Sequence, residues 1–260
     1  MLVSQTILAA VLGITLPATR AIAQSPAPRG VLHVAAAADL QPVLPALAEE
    51  YERATGVKIV PSFGSSATLT QQLENGAPFD VFLSADRAHP EQLVAAKLTA
   101  SPEPLPYAHG ILVLWARKDS PAQPLSIASL TSDKVTRIAV ANELHAPYGL
   151  AAMTELRALH LEDKLKPKLV VAENIAQTAE FVATGNAQAG LISLTIASSP
   201  KFRELGSYVL LPIHYAPLIQ CAVVMRSAKD PELAKAFVAW LTSPAIQHRL
   251  KDFGLEPANP

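Results

Sequence analysis

The chain has 260 residues, of which 50% are hydrophobic, and a formal net charge of −1 at neutral pH. This length and composition allow one large domain or two lobes with ample core, and the near-zero charge argues against a protein that binds nucleic acid or a membrane surface. The single cysteine, Cys221, cannot form an internal disulfide, and its apolar surroundings predict a buried thiol.

The beginning of the chain predicts an export signal. The apolar segment 7–18 is too short to span a bilayer, and Ala21-Ile22-Ala23 has the small-x-small form of a cleavage site. We therefore expect residues 1–23 to be removed and the mature protein to reside in the periplasm. No later stretch is long and apolar enough to cross a membrane.

The first part of the mature chain alternates between strands and helices. A buried strand ends before Asp39, which we expect to cap the next helix, and that helix stops at Gly56. Pro45 should kink this helix or delay its regular start. The predicted strands of this part are 31–38, 57–60 and 80–84. Strands and helices at this spacing predict a mainly parallel sheet covered on both faces.

The alternation repeats with new strands in the second part. These predicted strands are 110–116, 137–141, 169–172 and 189–193. We assign residues 24–110 and 217–260 to the first lobe and residues 111–216 to the second, with a hinge at two crossings of the chain. The predicted fold is α/β and two-lobed, each lobe having a mainly parallel sheet flanked by helices.

The turn Gly64-Ser65-Ser66 is the first candidate site. It leads from a predicted strand into a helix, whose N-terminus offers unpaired backbone N–H groups and the positive end of the helix dipole to an anion. The two serine hydroxyls add donors, and no Lys or Arg stands within the turn. A simpler interpretation is that Ser66 only caps the helix.

Five motifs occur in one order along the chain and carry a family resemblance. They are Val34-Ala-Ala-Ala-Ala-Asp-Leu40, Ser62-Phe-Gly-Ser-Ser-Ala-Thr-Leu69, Asn75-Gly-Ala-Pro-Phe-Asp-Val-Phe-Leu-Ser-Ala-Asp86, His145-Ala-Pro-Tyr-Gly149 and Glu173-Asn-Ile175. The chain resembles the periplasmic molybdate-binding proteins of ABC transporters over essentially its whole mature length. The resemblance implies a type II-like periplasmic binding protein that closes over a tetrahedral oxyanion, molybdate or tungstate. It also implies that the protein is a monomer without enzymatic activity and without a cofactor. Its implied partners are a permease and an ATPase.

The resemblance also implies a set of ligand contacts. Those contacts fall here on Asp39, Ser66, Tyr148, Ile175 and Ser193, with Ser65 beside them. In this family neutral donors hold the ligand, so Ser66 would give its hydroxyl and N–H, while Tyr148 and Ile175 would give backbone N–H groups at helix starts. Helix dipoles would then stabilise the dianion without a counter-charge.

Two of these positions depart from the family pattern. Asp39 stands where the family usually has a neutral donor, and Ser193 stands where it often has a Tyr. An ionised Asp39 facing a dianion would oppose binding strongly. We expect its carboxylate to turn away and cap its own helix. Alternatively, it faces the cleft and accepts a proton carried by the ligand, which would favour a phosphate- or phosphite-like anion. The short Ser193 leaves room for a water, for a larger ligand or for Tyr148 to turn inward.

A catalytic alternative uses some of the same residues. Ser66 with His109 or His145 and Asp80 could form a hydrolase triad, but the chain has no Gly-x-Ser-x-Gly elbow. The histidines are scattered without metal-ligand spacing, so no metal site is predicted. We expect local turn and cap hydrogen bonds at Asp80 and Asp86, and a loop-shaping role for His145.

Overall fold

The computed structural model describes residues 29–258, so the predicted signal segment, residues 1–23, lies outside the described residues. The strands are β1 (Gly30–Ala37), β2 (Val57–Gly64), β3 (Val81–Ser84), β4 (Leu105–Gly110), β5 (Leu112–Arg117), β6 (Ile138–Ala141), β7 (Leu169–Ala172), β8 (Ala189–Ser193), β9 (Gly206–Leu210), β10 (Leu218–Val224) and β11 (Glu256–Pro257). The helices are α1 (Leu44–Thr55), α2 (Ser66–Glu74), α3 (Ala88–Ala95), α4 (Pro147–Ala158), α5 (Glu162–Leu165), α6 (Ile175–Ala183), α7 (Leu194–Ala197), α8 (Pro200–Leu205), α9 (Pro231–Leu241) and α10 (Pro244–Arg249).

Two sheets define two lobes, which confirms the predicted two-lobed α/β class. The first lobe contains a six-stranded sheet with the order β11-β4-β10-β3-β1-β2, and the second contains a five-stranded sheet with the order β7-β6-β8-β5-β9. The chain passes from the first sheet to the second at Ile111 and returns between β9 and β10. The predicted lobe boundaries lie near these passages and stay predictions.

The sheets are mixed, so the expectation that each would be mainly parallel was too simple. β1 pairs in parallel with β2 and β3, whereas β10 is antiparallel to both β3 and β4. In the second lobe β6 is parallel to β7 and β8, but β5 is antiparallel to β8 and β9. The antiparallel strands lie on either side of the two passages between the lobes. A strand that enters from the other lobe has no helical crossover to align it with its neighbours.

Side chains alternate across the first sheet and build a core on each face. Val34 of β1 packs with Leu44 of α1 and Phe237 of α9, whereas the next residue, Ala35, packs on the opposite face with Leu69 of α2. This period of two is what a strand buried on both sides requires. The second lobe has its own core, in which Trp115 is fully buried.

Helix α1 does not begin directly after β1. A 3-10 turn at Ala38–Leu40 follows β1, and α1 starts only at Leu44, with Pro45 in its first turn, which confirms the delayed start. Gly56 ends α1 with a φ of 75°, a left-handed conformation that favours glycine. Within residues 29–258 no helix has both the length and the apolar character that a membrane span requires.

Candidate functional site

The two lobes meet over a small cavity at the carboxyl ends of five strands. The residues that line it end or follow β1, β2, β3, β6 and β7. They are Ala37, Ala38, Asp39, Gly64, Ser65, Ser66, Ala85, Ala146, Pro147, Tyr148, Asn174 and Ile175. Ligands of α/β proteins bind in this position, beyond the carboxyl ends of parallel strands.

Three helices begin at this cavity and present unpaired backbone donors to it. Helix α2 begins at Ser66, α4 at Pro147 and α6 at Ile175. The N–H groups of Ser66, Tyr148 and Ile175 make no hydrogen bond to another described residue. None of the lining residues is a Lys, Arg or His. The cavity therefore offers neutral donors and three positive helix ends, which together suit an anion.

The neighbouring serines Ser65 and Ser66 have different roles. Ser65 is the N-cap of α2, because its hydroxyl accepts a hydrogen bond from the Thr68 N–H at 3.2 Å. The interpretation that Ser66 caps this helix was therefore wrong by one residue. The Ser66 hydroxyl accepts from the Ala85 N–H at 3.2 Å, so its own hydrogen is free to donate to a ligand.

Asp39 lines the cavity and does not cap its helix. It is fully buried, its Oδ2 accepts hydrogen bonds from Gln220 at 2.6 Å and from Tyr148 at 3.2 Å, and its Oδ1 has no partner among the described protein atoms. The expectation that this carboxylate caps its helix was wrong, because the delayed start of α1 leaves no free N–H of that helix close in sequence. Burial raises the pKa of Asp39 from an ordinary 3.8 to about 6, although the hydrogen bonds from Gln220 and Tyr148 lower it.

Tyr148 has turned inward from α4, one of the three arrangements that the short Ser193 leaves open. Its phenol is almost fully buried and contacts both Asp39 and Gln220, the latter at 3.2 Å from the phenol oxygen. A Cβ at Gly110 would lie 2.2 Å from this oxygen, so the glycine makes room for the ring. Burial raises the pKa of Tyr148 well above 10, with the Asp39 charge as a further cause, so the phenol remains a donor at neutral pH.

Ser193 does not line the cavity. Its hydroxyl shares a hydrogen bond of 2.7 Å with the Thr195 hydroxyl and accepts the Ile196 N–H at 3.4 Å as the N-cap of α7. Thr195 in turn donates to the backbone carbonyl of Asp39 at 2.7 Å. Ser193 is thus connected to Asp39 through a hydroxyl that the sequence did not single out.

A second set of contacts closes the mouth of the cleft. Glu173 of the second lobe accepts a hydrogen bond at Oε1 from the Thr68 hydroxyl of α2 at 2.9 Å, and its Oε2 lies 3.0 Å from Nδ1 of His145. The carbonyl of His145 accepts the Ala67 N–H at 3.1 Å, again between the lobes. We call Thr68, His145 and Glu173 the mouth contact. His145 shapes this loop, as expected, and the hydrogen bond from His145 is the main cause that lowers the pKa of Glu173.

The remaining candidates have structural partners. Asp86 accepts local hydrogen bonds from the Ser84 hydroxyl and the His89 N–H, as predicted. Asp80 instead joins distant segments, because it accepts the backbone N–H groups of His33 and Lys229 at 2.7 and 2.9 Å. No hydrogen bond connects Ser66 to a histidine in the part of the chain that the structure describes, so the imagined hydrolase triad is not assembled.

Sequence reasoning missed Gln220, Thr195 and Thr68. Gln220 is the clearest omission, because it is a fully buried amide within β10 that donates to both Asp39 and Tyr148. The available signal was one amide in the apolar run Leu218-Ile-Gln-Cys-Ala-Val-Val224. A lone polar side chain in a buried strand needs a hydrogen-bond partner.

Comparison with known proteins identifies the family. The model described as bacterial extracellular solute-binding protein matches residues 32–256. The chain belongs to this family and, within it, to the molybdate-binding group. Since these relatives are solute-binding proteins, the chain is a binding protein and not an enzyme.

Two molybdate-binding relatives align with this chain along most of their own length. The molybdate-binding protein of Azotobacter vinelandii is 36% identical over 86% of this chain and 88% of its own. The molybdate-binding protein of Rhodobacter capsulatus is 32% identical over 96% of this chain and 94% of its own. The solved structure of the Azotobacter vinelandii periplasmic protein superposes with a TM-score of 0.77 at 31% identity, covering 86% of this chain and 98% of that one.

Proposed function

We propose that this protein captures molybdate, and also tungstate, between its lobes and delivers the anion to an ABC transporter permease with its ATPase. The observation that carries the proposal is the meeting of three helix N-termini, with free N–H groups at Ser66, Tyr148 and Ile175, on one cavity without a cationic lining residue. The names of the two relatives above support molybdate as the ligand. We further propose that the signal segment 1–23 directs the chain to the periplasm.

Closure of the lobes is the binding step in this mechanism. The closed form brings Tyr148 and Ile175 of the second lobe to the same cavity as Ser66 of the first. An anion that contacts donors of both lobes binds the closed form better than an open one and shifts the equilibrium toward closure. Rigid donors on helix starts then select a ligand by the size and geometry of its oxygens. The closed, loaded form is the one we propose for docking on the permease.

A second candidate ligand follows from Asp39. Its Oδ1 is buried without a hydrogen-bond partner among the described protein atoms, and the residue lines the cavity, so this oxygen is available to accept a proton that the ligand carries. Hydrogen phosphate and phosphite are anions of that kind. The same scaffold would then transport a protonated oxyanion.

Calorimetric titration of the mature chain with molybdate, tungstate, sulfate and phosphate at neutral pH tests the proposal. We expect saturable binding of one molybdate or tungstate per chain and weak or no binding of sulfate. Binding of phosphate alone would replace molybdate with the second candidate. If none of the four anions gives a binding signal in the titration, oxyanion binding is refuted.

A further inference from the structure

We propose that the cleft binds its oxyanion together with one proton, held between Oδ1 of Asp39 and an oxygen of the ligand. This inference rests on the proposed function and deepens it, because it specifies the protonation state in which the site accepts its anion. The charge of Asp39 then determines which protonation state of an oxyanion the site accepts.

The geometry of Asp39 leaves one oxygen for this proton. Gln220 and Tyr148 both donate to Oδ2, at 2.6 and 3.2 Å, and so hold the carboxylate in a fixed orientation. Oδ1 is buried, has no hydrogen-bond partner among the described protein atoms, and belongs to a residue that lines the cavity. A buried carboxylate oxygen without a donor is unfavourable unless the ligand supplies one.

The groups around Asp39 do not neutralise it. The titratable groups that face it are two phenols, Tyr148 of α4 and Tyr107 of β4, and burial raises the pKa of each well above 10. The other neighbours are neutral: hydroxyls from Ser65, Ser66 and Thr195, and amides from Asn174 and Gln220. Neither Lys, Arg nor His occurs among the residues that line the cavity.

An ionised Asp39 would therefore repel an anion that enters. At ~4 Å and an effective dielectric constant near 20, each unit of ligand charge would weaken binding roughly a thousandfold. For molybdate, one proton between the two oxygens neutralises the carboxyl group and replaces the repulsion with a hydrogen bond. The pKa of Asp39, raised by burial to about 6, places this protonation close to neutral pH even before the ligand binds.

The proton can come from the solvent or from the ligand. The number of protons taken up from solution differs between these two cases. Molybdate is fully deprotonated at neutral pH, so one proton must be taken from solvent when it binds, and the carboxyl O–H of Asp39 then donates to a molybdate oxygen. Hydrogen phosphate brings its own proton, and its O–H donates to the ionised carboxylate without uptake. Each complex therefore holds one proton more than a bare carboxylate and its fully deprotonated anion, and that proton comes from solvent for molybdate and from the ligand for hydrogen phosphate.

Calorimetry of the mature protein in two buffers with different ionisation enthalpies counts the protons. At pH 8 we expect about one proton taken up per molybdate and an affinity that falls about tenfold for each pH unit above neutrality. For hydrogen phosphate we expect no uptake. Molybdate binding without proton uptake at pH 8 would overturn the inference and leave the proposed function standing. No binding of any oxyanion would overturn the proposed function itself.

The Asp39→Asn variant distinguishes a proton taken from solvent from one carried by the ligand, because it should change the affinities for molybdate and for hydrogen phosphate in opposite directions. Without the carboxylate, molybdate affinity at pH 8 should rise at least tenfold and lose its pH dependence, whereas hydrogen phosphate affinity should fall at least tenfold. A molybdate affinity that keeps its slope with pH in this variant would refute a proton at Asp39. The wild-type proton count stands as a test if the variant does not fold.

Glu173→Gln is the matched control, because it removes a second carboxylate that contacts both lobes. Glu173 and His145 form the ionisable pair of the mouth contact, outside the lining of the cavity. The proton count for molybdate should stay near one in this variant. Loss of the uptake in Glu173→Gln would assign the proton to the mouth contact and overturn the proposal.

Discussion

The hydroxyl of Tyr148 in the second lobe donates a hydrogen bond to Oδ2 of Asp39 in the first lobe, at 3.2 Å. Both side chains are buried beneath the cleft, and Gln220 donates to both of them. The carboxylate is thus a direct link between the lobes, and Asp39 is also one of the residues that line the cavity. A change in its charge therefore acts on lobe closure and on ligand binding together.

Replacing Asp39 with Asn should stabilise the protein at neutral pH. The pKa of Asp39 is about 6 in the folded chain and near 3.8 when unfolded, so the folded state binds more protons between these values. Wild-type stability therefore falls as pH rises from about 4 to 6 and stays reduced above that window. Urea unfolding should show Asp39→Asn to be more stable by about 1–3 kcal/mol at pH 7.5, and by little at pH 4.

The exposed Asp163→Asn is the control for this stability measurement. It should change the free energy of unfolding by less than about 0.5 kcal/mol at either pH. If Asp39→Asn were less stable than the wild type at pH 7.5, the buried carboxylate would be stabilising and this account of its pKa would be wrong.

Removal of the Ser66 hydroxyl should weaken anion binding. Its hydrogen is free to donate because the oxygen already accepts the Ala85 N–H. Since a hydrogen bond to a charged group contributes about 1.5–3 kcal/mol, Ser66→Ala should lower molybdate affinity by roughly 10- to 100-fold in calorimetry. The exposed Ser207→Ala should leave the affinity unchanged. Equal affinity in Ser66→Ala and wild type would remove this hydroxyl from the site.

The mouth contact should favour the closed form. Thr68→Val removes the hydroxyl that donates to Glu173 across the cleft but keeps the shape of the side chain. Because one such bond contributes about 0.5–1.5 kcal/mol, affinity should fall roughly three- to tenfold. Thr242→Val, whose hydroxyl bonds only within its own helix region, should not change affinity. An equal loss of affinity in Thr68→Val and Thr242→Val would indicate a general effect on protein stability and would contradict a specific role for the mouth contact.

The buried thiol of Cys221 should be inert in the native protein. Burial raises its pKa from 9.0 to about 11, so the reactive thiolate at pH 8 is roughly a hundredfold scarcer than for an ordinary thiol. A chromogenic disulfide reagent at pH 8 should therefore react at least a hundredfold more slowly with the native than with the unfolded chain. Comparable rates would show that β10 opens readily.

The sequence allowed the elements and the cleft to be predicted because these depend on local patterns. The local pattern predicted Gly64-Ser65-Ser66 as a donor site, whereas the family resemblance implied donors at Tyr148 and Ile175, and all of these residues line one cavity. The signal at Gly64-Ser65-Ser66 is a strand end followed by a helix start, which a few neighbouring residues determine.

The orientation of Asp39 and the mixed sheets could not be predicted in this way. The Asp39 carboxylate is held by Gln220 and Tyr148, and its backbone carbonyl by Thr195, all from distant parts of the chain. The direction of β10 likewise depends on its return from the other lobe rather than on its own residues. Both features arise from tertiary contacts, for which a single sequence carries no local pattern.

Crystals of the mature protein grown with molybdate, measured at the molybdenum absorption edge, would test the central claim most directly. The account predicts one anomalous peak per chain in the cavity, with ligand oxygens within hydrogen-bond distance of the Ser66 hydroxyl and the N–H groups of Tyr148 and Ile175. The Asp39 carboxyl should also contact a ligand oxygen. A peak elsewhere on the protein, or a cavity without molybdenum at saturating molybdate, would contradict it.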